Sequence, residues 1–412
     1  MRIGVSTSVI QRGRTGIAQY LFALLRAFMR CGREHQFILF VLEEDLPLFN
    51  FARSTMEIVP VPERYRSAVN NILWHQAKLP KLAREHGLDV LHIPSYRRML
   101  WRCPCPRVTT IHDLAPFWVP NKYDWKRMLY GRVIVPHLAT RQEEIIAISA
   151  NTADDIERFL AVPRQRIHVI HNGLDHVRFS PAAAIDPKAV AAQRFQLHRP
   201  FFLYVARLEH PGKNHVRLIA AFNHFKASTR SGWQLVFGGS DWHGAQAIHA
   251  AAAESPFKDD IRFLGFVSDE ALPDLYRAAE AFVYPSLFEG FGLPPIEAMA
   301  CGAPVICSPR GSLREVVGSA AEIVDPEDAQ SIASGLMLVA CDPSVRERLR
   351  AAGFKQSKKF DWHQTAAATL GVYQQAAARL RSARSGAGSE NRSMSAARGQ
   401  DEAASRPATA FK

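Results

Sequence analysis

The segment SLFEGFGLPPIEAMACGAPVI, residues 286–306, sets Glu289 and Glu297 on either side of a Gly-Phe-Gly turn and a Pro-Pro pair. An ionised carboxylate only accepts hydrogen bonds, so it suits a vicinal diol such as that of a ribose or a pyranose. Two carboxylates flanking one turn could hold one diol each. Gly290 and Gly292 would let backbone approach a ligand closely. Pro294-Pro295 suits the first turn of a helix, whose free N–H groups favour an anion. On this reading Glu297 lies in that first turn, leaning toward the helix start, and Cys301-Gly302 ends the helix. The plainer alternative is that Glu297 complements the helix dipole and Glu289 is a solvated loop residue.

A second group lies in FFLYVARLEHPGKNHVRLIAAF, with Arg207 at the carboxyl end of a strand and Lys213 in the following Gly-containing turn. A diphosphate calls for such a pair, arginine as a planar fork and lysine as a compact charge. Either cation alone reads as solvated. Facing the same rim as Glu289, they describe a site for sugar, diphosphate and ribose. No Asp-x-Asp motif stands at a strand end. The expectation is therefore that these cations and the helix dipole neutralise a leaving diphosphate, with no metal and no cofactor.

The elements that must position these residues repeat a simple pattern. RIGVSTSV reads as a buried strand, and GRTGIAQYLFALLRAF follows with Ile17, Tyr20, Leu21, Leu24, Leu25 and Phe28 at helical spacing. QFILFVL, DVLHIPS, RVTTIHDL, EIIAIS and HVIHNGLD continue as strands. SPAAAIDPKAVAAQRFQLHRP reads as a hinge of low order, after which PFFLYVARL, WQLVFGG, IRFLGF, AFVYPS, APVICS and AEIVD start the alternation again. Strands alternating with helices predict α/β architecture, two doubly wound parallel-sheet domains in series. The expected division is residues 1–180, joined by a returning helix at about 362–380, and residues 181–361. Residues 382–412 lose apolar pattern and read as disordered.

The formal charge of +12 is uneven, with 25 Lys+Arg against 16 Asp+Glu in residues 1–180 and 22 against 20 in residues 181–385. A basic first half fits a peripheral contact with an anionic membrane surface, or plain solubility. No apolar run is long enough to cross a bilayer, and the N-terminus does not read as a signal peptide, so a cytoplasmic location is expected. Cys103-Pro-Cys105 could hold a metal, but its spacing reads as an incidental loop. His168, His171, His243 and His249 read as structural or surface residues.

Taken together, these segments resemble the family-four, group 1 retaining nucleotide-sugar glycosyltransferases of GT-B fold, from Met1 to about residue 380, and in particular bacterial mannosyltransferases. The resemblance rests on the Glu-x7-Glu pattern from Glu289 to Glu297, on VARLEHPGKN, on GFVSDEALPDLY, and on TGIAQYL, TIHDL, AISANTADDI and HVIHNGLD. It implies that Arg207 and Lys213 hold a donor diphosphate and Glu297 its ribose. Glu289 with Gly290, Phe291, Gly292 and Leu293 would hold the transferred sugar, and Phe266 and Val267 the base. His112 would sit near the sugar's 6-hydroxyl and the reacting carbon, and Gly16 would let the phosphate approach the first helix. The plainer reading of His112 is a strand-end histidine bonded to nearby backbone.

The same resemblance implies retaining transfer of a hexose, mannose from GDP-mannose by preference. The acceptor would be a saccharide or lipid-linked glycan in cell-surface polysaccharide or glycolipid synthesis. The acceptor hydroxyl attacks from the face the nucleotide leaves, and the donor phosphate takes its proton. Two other readings stand beside it: a catalytically silent GT-B protein that binds sugar nucleotides or glycans, and a non-hydrolysing sugar-nucleotide epimerase. No nucleic-acid partner is expected.

Overall fold

In the computed structural model, residues 1–13, 15–118, 128–183 and 185–379 are described. They form two parallel sheets. The first contains β1 (Arg2–Ser6), β2 (Gln36–Leu42), β3 (Glu57–Val61), β4 (Val90–Ile93), β5 (Arg107–Ile111), β6 (Glu144–Ala147) and β7 (Ile167–Val169), in the order β3-β2-β1-β4-β5-β6-β7. The second contains β8 (Phe201–Val205), β9 (Gln234–Gly238), β10 (Ile261–Phe263), β11 (Ala281–Tyr284), β12 (Val305–Cys307) and β13 (Ala321–Ile323), in the order β10-β9-β8-β11-β12-β13. In each sheet the order reverses beside the first strand. Ligands of open α/β sheets bind at that switch, beyond the carboxyl ends of the strands.

Local sequence accounts for the helices that matter here. Gly16–Cys31 starts where the Thr15 hydroxyl accepts the Ala18 N–H at 3.2 Å, and it buries Tyr20, Leu21, Leu24, Leu25 and Phe28 against the first sheet. His215–Thr229 follows Asn214, which adopts a left-handed φ of 64°. The Asn214 amide donates to the carbonyls of Pro285 and Pro326 at 2.9 and 2.7 Å, tying the first helix of the second sheet to the loop after β11.

Three sequence expectations are corrected. The connector is not of low order, because Asp186 accepts the Lys188 N–H and Pro187 occupies the first turn of a helix over Pro187–Phe195. Strand β3 was absent from the expected set. Its Pro60 is tolerated because β3 is an edge strand, paired only with β2. Finally, the helix after the Gly-Phe-Gly turn is Leu293–Ala300, which places Glu297 in its second turn.

After the second sheet the chain returns to the first. Leu174 N–H donates to the Phe360 carbonyl, and helical residues 362–379 bury Ala366, Leu370, Val372, Tyr373 and Ala376 in the core around β1 and β2. Tyr373 meets buried His92 at 2.8 Å. A side chain at Gly173 would meet the Trp362 backbone nitrogen at 2.3 Å, so this crossing requires glycine. The expected disordered tail, residues 382–412, lies outside the described residues.

Candidate active site

Loops after β8 and β11 place the cations and carboxylates. Lys213 Nζ donates to Glu289 Oε1 at 2.5 Å, and the same oxygen accepts from Tyr284 Oη at 2.9 Å and Ser286 Oγ at 2.7 Å. Burial pushes the Glu289 carboxyl up, but the Lys213 charge and these hydrogen bonds outweigh it and hold the group below the usual glutamate range. The two loops are also bonded directly, Leu287 N–H to the Gly212 carbonyl at 3.1 Å and Tyr204 Oη to the Lys213 carbonyl at 2.6 Å. Lys213 and Glu289 thus form one pre-set unit.

Glu297 sits in a different environment. The one hydrogen bond to its carboxyl group among the described residues comes from Tyr276 Oη, at 2.9 Å to Oε2. Burial raises its pKa to about 7, which Tyr276 and the nearby Arg178 charge only partly offset. One carboxylate is therefore neutralised by a lysine while its neighbour in sequence keeps an unused accepting oxygen.

Arg207 does not join the Lys213–Glu289 cluster. It is exposed, pairs with Glu209 at 3.5 Å and lies with its guanidinium 4.8 Å from the centre of the Trp242 ring. Phe266 projects into solvent at 77 % exposure, while Val267 packs over Gly238. Phe291 points inward, 4 % exposed and edge-on to Phe360, so only its backbone can face a ligand. Gly292 has φ 97°, and any side chain there would meet Leu313 at 2.5 Å. Leu293 opens the helix.

The first sheet meets this cluster at His112, just past β5. A side chain on Gly290 would stand 2.1 Å from the His112 carbonyl oxygen and 2.9 Å from Asp113 Cβ. Only glycine lets the two halves approach so closely. The His112 ring bonds the Pro94 carbonyl and packs edge-on against Tyr20 with centroids 4.7 Å apart. Burial lowers its pKa to about 4, so it is neutral near pH 7. Its Nε2 is buried and has no hydrogen-bond partner among the described residues, leaving a lone pair free for a hydroxyl donor. Gly16 opens the first helix with open space above its Cα.

Residues that sequence reasoning passed over join the two halves. Ser149 Oγ donates to the Gly290 carbonyl at 3.1 Å. Glu315 accepts the Ala150 N–H at 2.9 Å, capping the helix Ala150–Leu160 from the opposite half, and meets His171 Nε2 at 2.5 Å. His171 thus takes the structural of its two expected roles, as a contact between the halves. A serine before Ala-Asn-Thr does signal a helix start, but nothing local signals a partner 165 residues away. Among the described residues no group of three or more His, Cys, Asp or Glu could hold a metal ion. No helix among them is long and apolar enough to cross a membrane.

Residues 14–178 match the family described as Glycosyltransferase Family 4 and residues 186–356 match Glycosyl transferases group 1. The O-antigen chain mannosyltransferase B of Escherichia coli is 30 % identical over 394 residues, 90 % of this chain and 99 % of that protein. The chain belongs to the group 1, family 4 glycosyltransferases. Its two-sheet architecture is the GT-B fold. This glycosyltransferase superposes with a TM-score of 0.70 on Anabaena HepE in complex with UDP and glucose, at 19 % identity over 93 % of this chain and all of that one. With the sucrose-phosphate synthase of Thermosynechococcus elongatus the TM-score is 0.72, at 20 % identity over 91 % of this chain and 98 % of that one.

Proposed function

We propose that this glycosyltransferase moves mannose from GDP-mannose to a saccharide or lipid-linked glycan, with retention of configuration and without a metal ion. The observation that carries the reading is the Lys213–Glu289 unit beside the singly bonded Glu297, in a chain similar along nearly its whole length to an O-antigen chain mannosyltransferase. Lys213 neutralises the diphosphate as it departs, and exposed Arg207 swings from Trp242 to assist. Once phosphate draws Lys213 away, Glu289 is free to accept from a sugar hydroxyl. Glu297 accepts from the ribose diol. Neutral His112, with Nε2 unpartnered, accepts from the sugar's 6-hydroxyl and orients the ring. The acceptor hydroxyl bonds to the anomeric carbon as the carbon–oxygen bond to phosphate breaks on the same face, and its proton passes to the departing phosphate oxygen.

The deciding experiment is calorimetric titration of the EDTA-treated enzyme with GDP-mannose and UDP-glucose, followed by NMR of the product made on an oligomannoside primer. Selective binding of GDP-mannose and an α-linked product support the proposal. Preference for UDP-glucose, a β-linked product, or activity that returns only with divalent metal would each overturn the corresponding part.

We also propose that the first half rests on anionic lipid. Val69, Leu73, Trp101, Leu129, Val133 and Ile134 are exposed on segments joined by contacts of Arg98 with Asn71, Trp101 with Gln76 and Tyr130 with Arg97. Residues 64–84, 90–112 and 128–142 contain no Asp or Glu. Exposed apolar side chains on segments whose charged residues are all cationic suit the boundary of an anionic membrane. Flotation with phosphatidylglycerol vesicles, weakened in high salt and by Leu73→Glu, is the expected result; equal recovery without vesicles would refute it.

A further inference from the structure

The loop from Leu100 to Pro106, which leads into β5, plays no part in the transfer chemistry, yet it is built with care around two sulfurs. Cys103 Sγ and Cys105 Sγ lie 3.5 Å apart. Arg107, buried at the start of β5, donates to the carbonyls of Leu100 and Trp101 at 3.1 and 3.0 Å and to the Glu143 carboxylate at 2.7 Å. Both ends of the loop are therefore fixed, and Pro104 and Pro106 restrict the backbone between and after the cysteines. The two thiols differ in access, Cys103 being half-buried and Cys105 only 6 % exposed within the core under β4.

They differ in acidity as well. The hydrogen bond between the two sulfurs lowers the Cys103 pKa against the opposing effect of burial, with a smaller contribution from the Arg107 charge. The same contact and burial push the Cys105 thiol up. A half-buried, more acidic thiol 3.5 Å from a buried partner thiol is the arrangement of an attacking and a resolving cysteine. Two thiols fall short of the four ligands of a structural zinc site, and no third or fourth metal ligand joins them among the described residues.

We propose that Cys103 and Cys105 form a thiol–disulfide exchange site that closes to an intraloop disulfide on reaction with low-molecular-weight disulfides such as glutathione disulfide. The Cys103 thiolate attacks one sulfur of glutathione disulfide, forming a mixed disulfide and expelling one glutathione thiolate. That thiolate takes the proton of Cys105. Cys105 sulfur then attacks Cys103 sulfur and expels the second glutathione, which is protonated from solvent. Overall two protein thiols are oxidised and one glutathione disulfide is reduced to two glutathiones. The sulfurs must close from 3.5 Å to the roughly 2.05 Å of a disulfide, a movement of about 1.5 Å. A cross-link spanning so short a loop belongs to the strained, readily reduced class rather than to structural disulfides.

Intact-mass spectrometry with peptide mapping of the full chain, folded and treated with millimolar glutathione disulfide, tests this. The wild type should lose two hydrogen masses, with the link mapped to Cys103 and Cys105 and reversed by dithiothreitol. Cys105→Ser should instead accumulate one glutathione on Cys103. Cys103→Ser should neither cross-link nor take glutathione at Cys105. Melting curves confirm that both variants are folded. Should the wild type keep both thiols, or carry a lasting glutathione on Cys103 as Cys105→Ser does, the proposal fails. Reaction confined to exposed Cys341 would also overturn it, because exposure alone would then govern reactivity.

Discussion

Glu297 and Glu289 show how two carboxylates eight residues apart acquire opposite characters. Glu289 has three donors, one of them cationic, whereas Glu297 has one neutral phenol and a pKa near 7. A ribose diol donates to an ionised carboxylate, so GDP should bind the wild type about tenfold more tightly at about pH 8 than at about pH 6. Isothermal titration at the two values checks this, and Glu297→Gln should remove the dependence. Linkage also fixes the sign for folding. The native carboxyl holds its proton up to about 7 while the unfolded one releases it near 4.5, so this group makes stability fall as pH rises between those values. The difference in unfolding free energy between wild type and Glu297→Gln should therefore shift across that window, by on the order of 2 kcal/mol for a half-buried group. Lys213→Ala leaves Glu289 without its cation and, in the proposed site, takes a positive charge from the diphosphate. Its kcat/KM should fall by about 10² or more in steady-state assays, with GDP affinity reduced in parallel. The Glu-x7-Glu spacing was legible in the sequence, and so was a lysine on the same rim. Tyr276, Tyr284 and Arg207's stacking on Trp242 were not, because aromatic residues near strand ends read as core until their hydroxyl partners or neighbours are known.

At the scale of elements, the strands of both sheets were readable as short apolar runs, and the exceptions have local causes. Strand β3 carries Pro60 and is half-exposed, so it lacks the buried-strand pattern. The helix Pro187–Phe195 was obscured by the alanines and prolines around it, although Asp186-Pro187 is a sound start signal. The turn between β11 and Leu293–Ala300 is where an element boundary becomes functional. Gly290 Cα faces the backbone of His112 so closely that an added methyl must push the halves apart by about 1 Å, a displacement that can cost about 10²-fold in rate. Gly290→Ala should accordingly lower kcat by about that factor. GDP affinity, which the proposed site draws mainly from the second half, should stay within a few-fold, a split readable from kinetics and calorimetry on one preparation.

For the whole molecule, the question is what holds the two halves face to face when no ligand bridges them. Helical residues 362–379 pack back into the first sheet, so the halves are joined at two crossings, one before Pro187 and one after Phe360. Beside the second crossing stands Glu315, which accepts from Ala150, Asn151 and His171, the last packed 5.8 Å from the Phe360 ring. Burial raises the Glu315 carboxyl, but the His171 hydrogen bond and the Ala150 amide outweigh it and hold the pKa below the ordinary 4.5. The contact is thus complete above the ordinary glutamate range and is lost as pH falls through the lower native value. No sequence pattern foretells it, because its partners are 144 to 165 residues apart and each reads locally as a cap or a surface charge. Closure excludes water from a reactive donor, so weakening this contact should expose the donor. Glu315→Ala should lose about 1 kcal/mol of capping and widen the molecule in small-angle scattering. It should also raise hydrolysis of the donor relative to transfer, while Glu315→Gln, which keeps an accepting oxygen for Ala150, should lie between. An unchanged radius of gyration together with an unchanged hydrolysis ratio in Glu315→Ala would mean that closure is set by the two crossings alone.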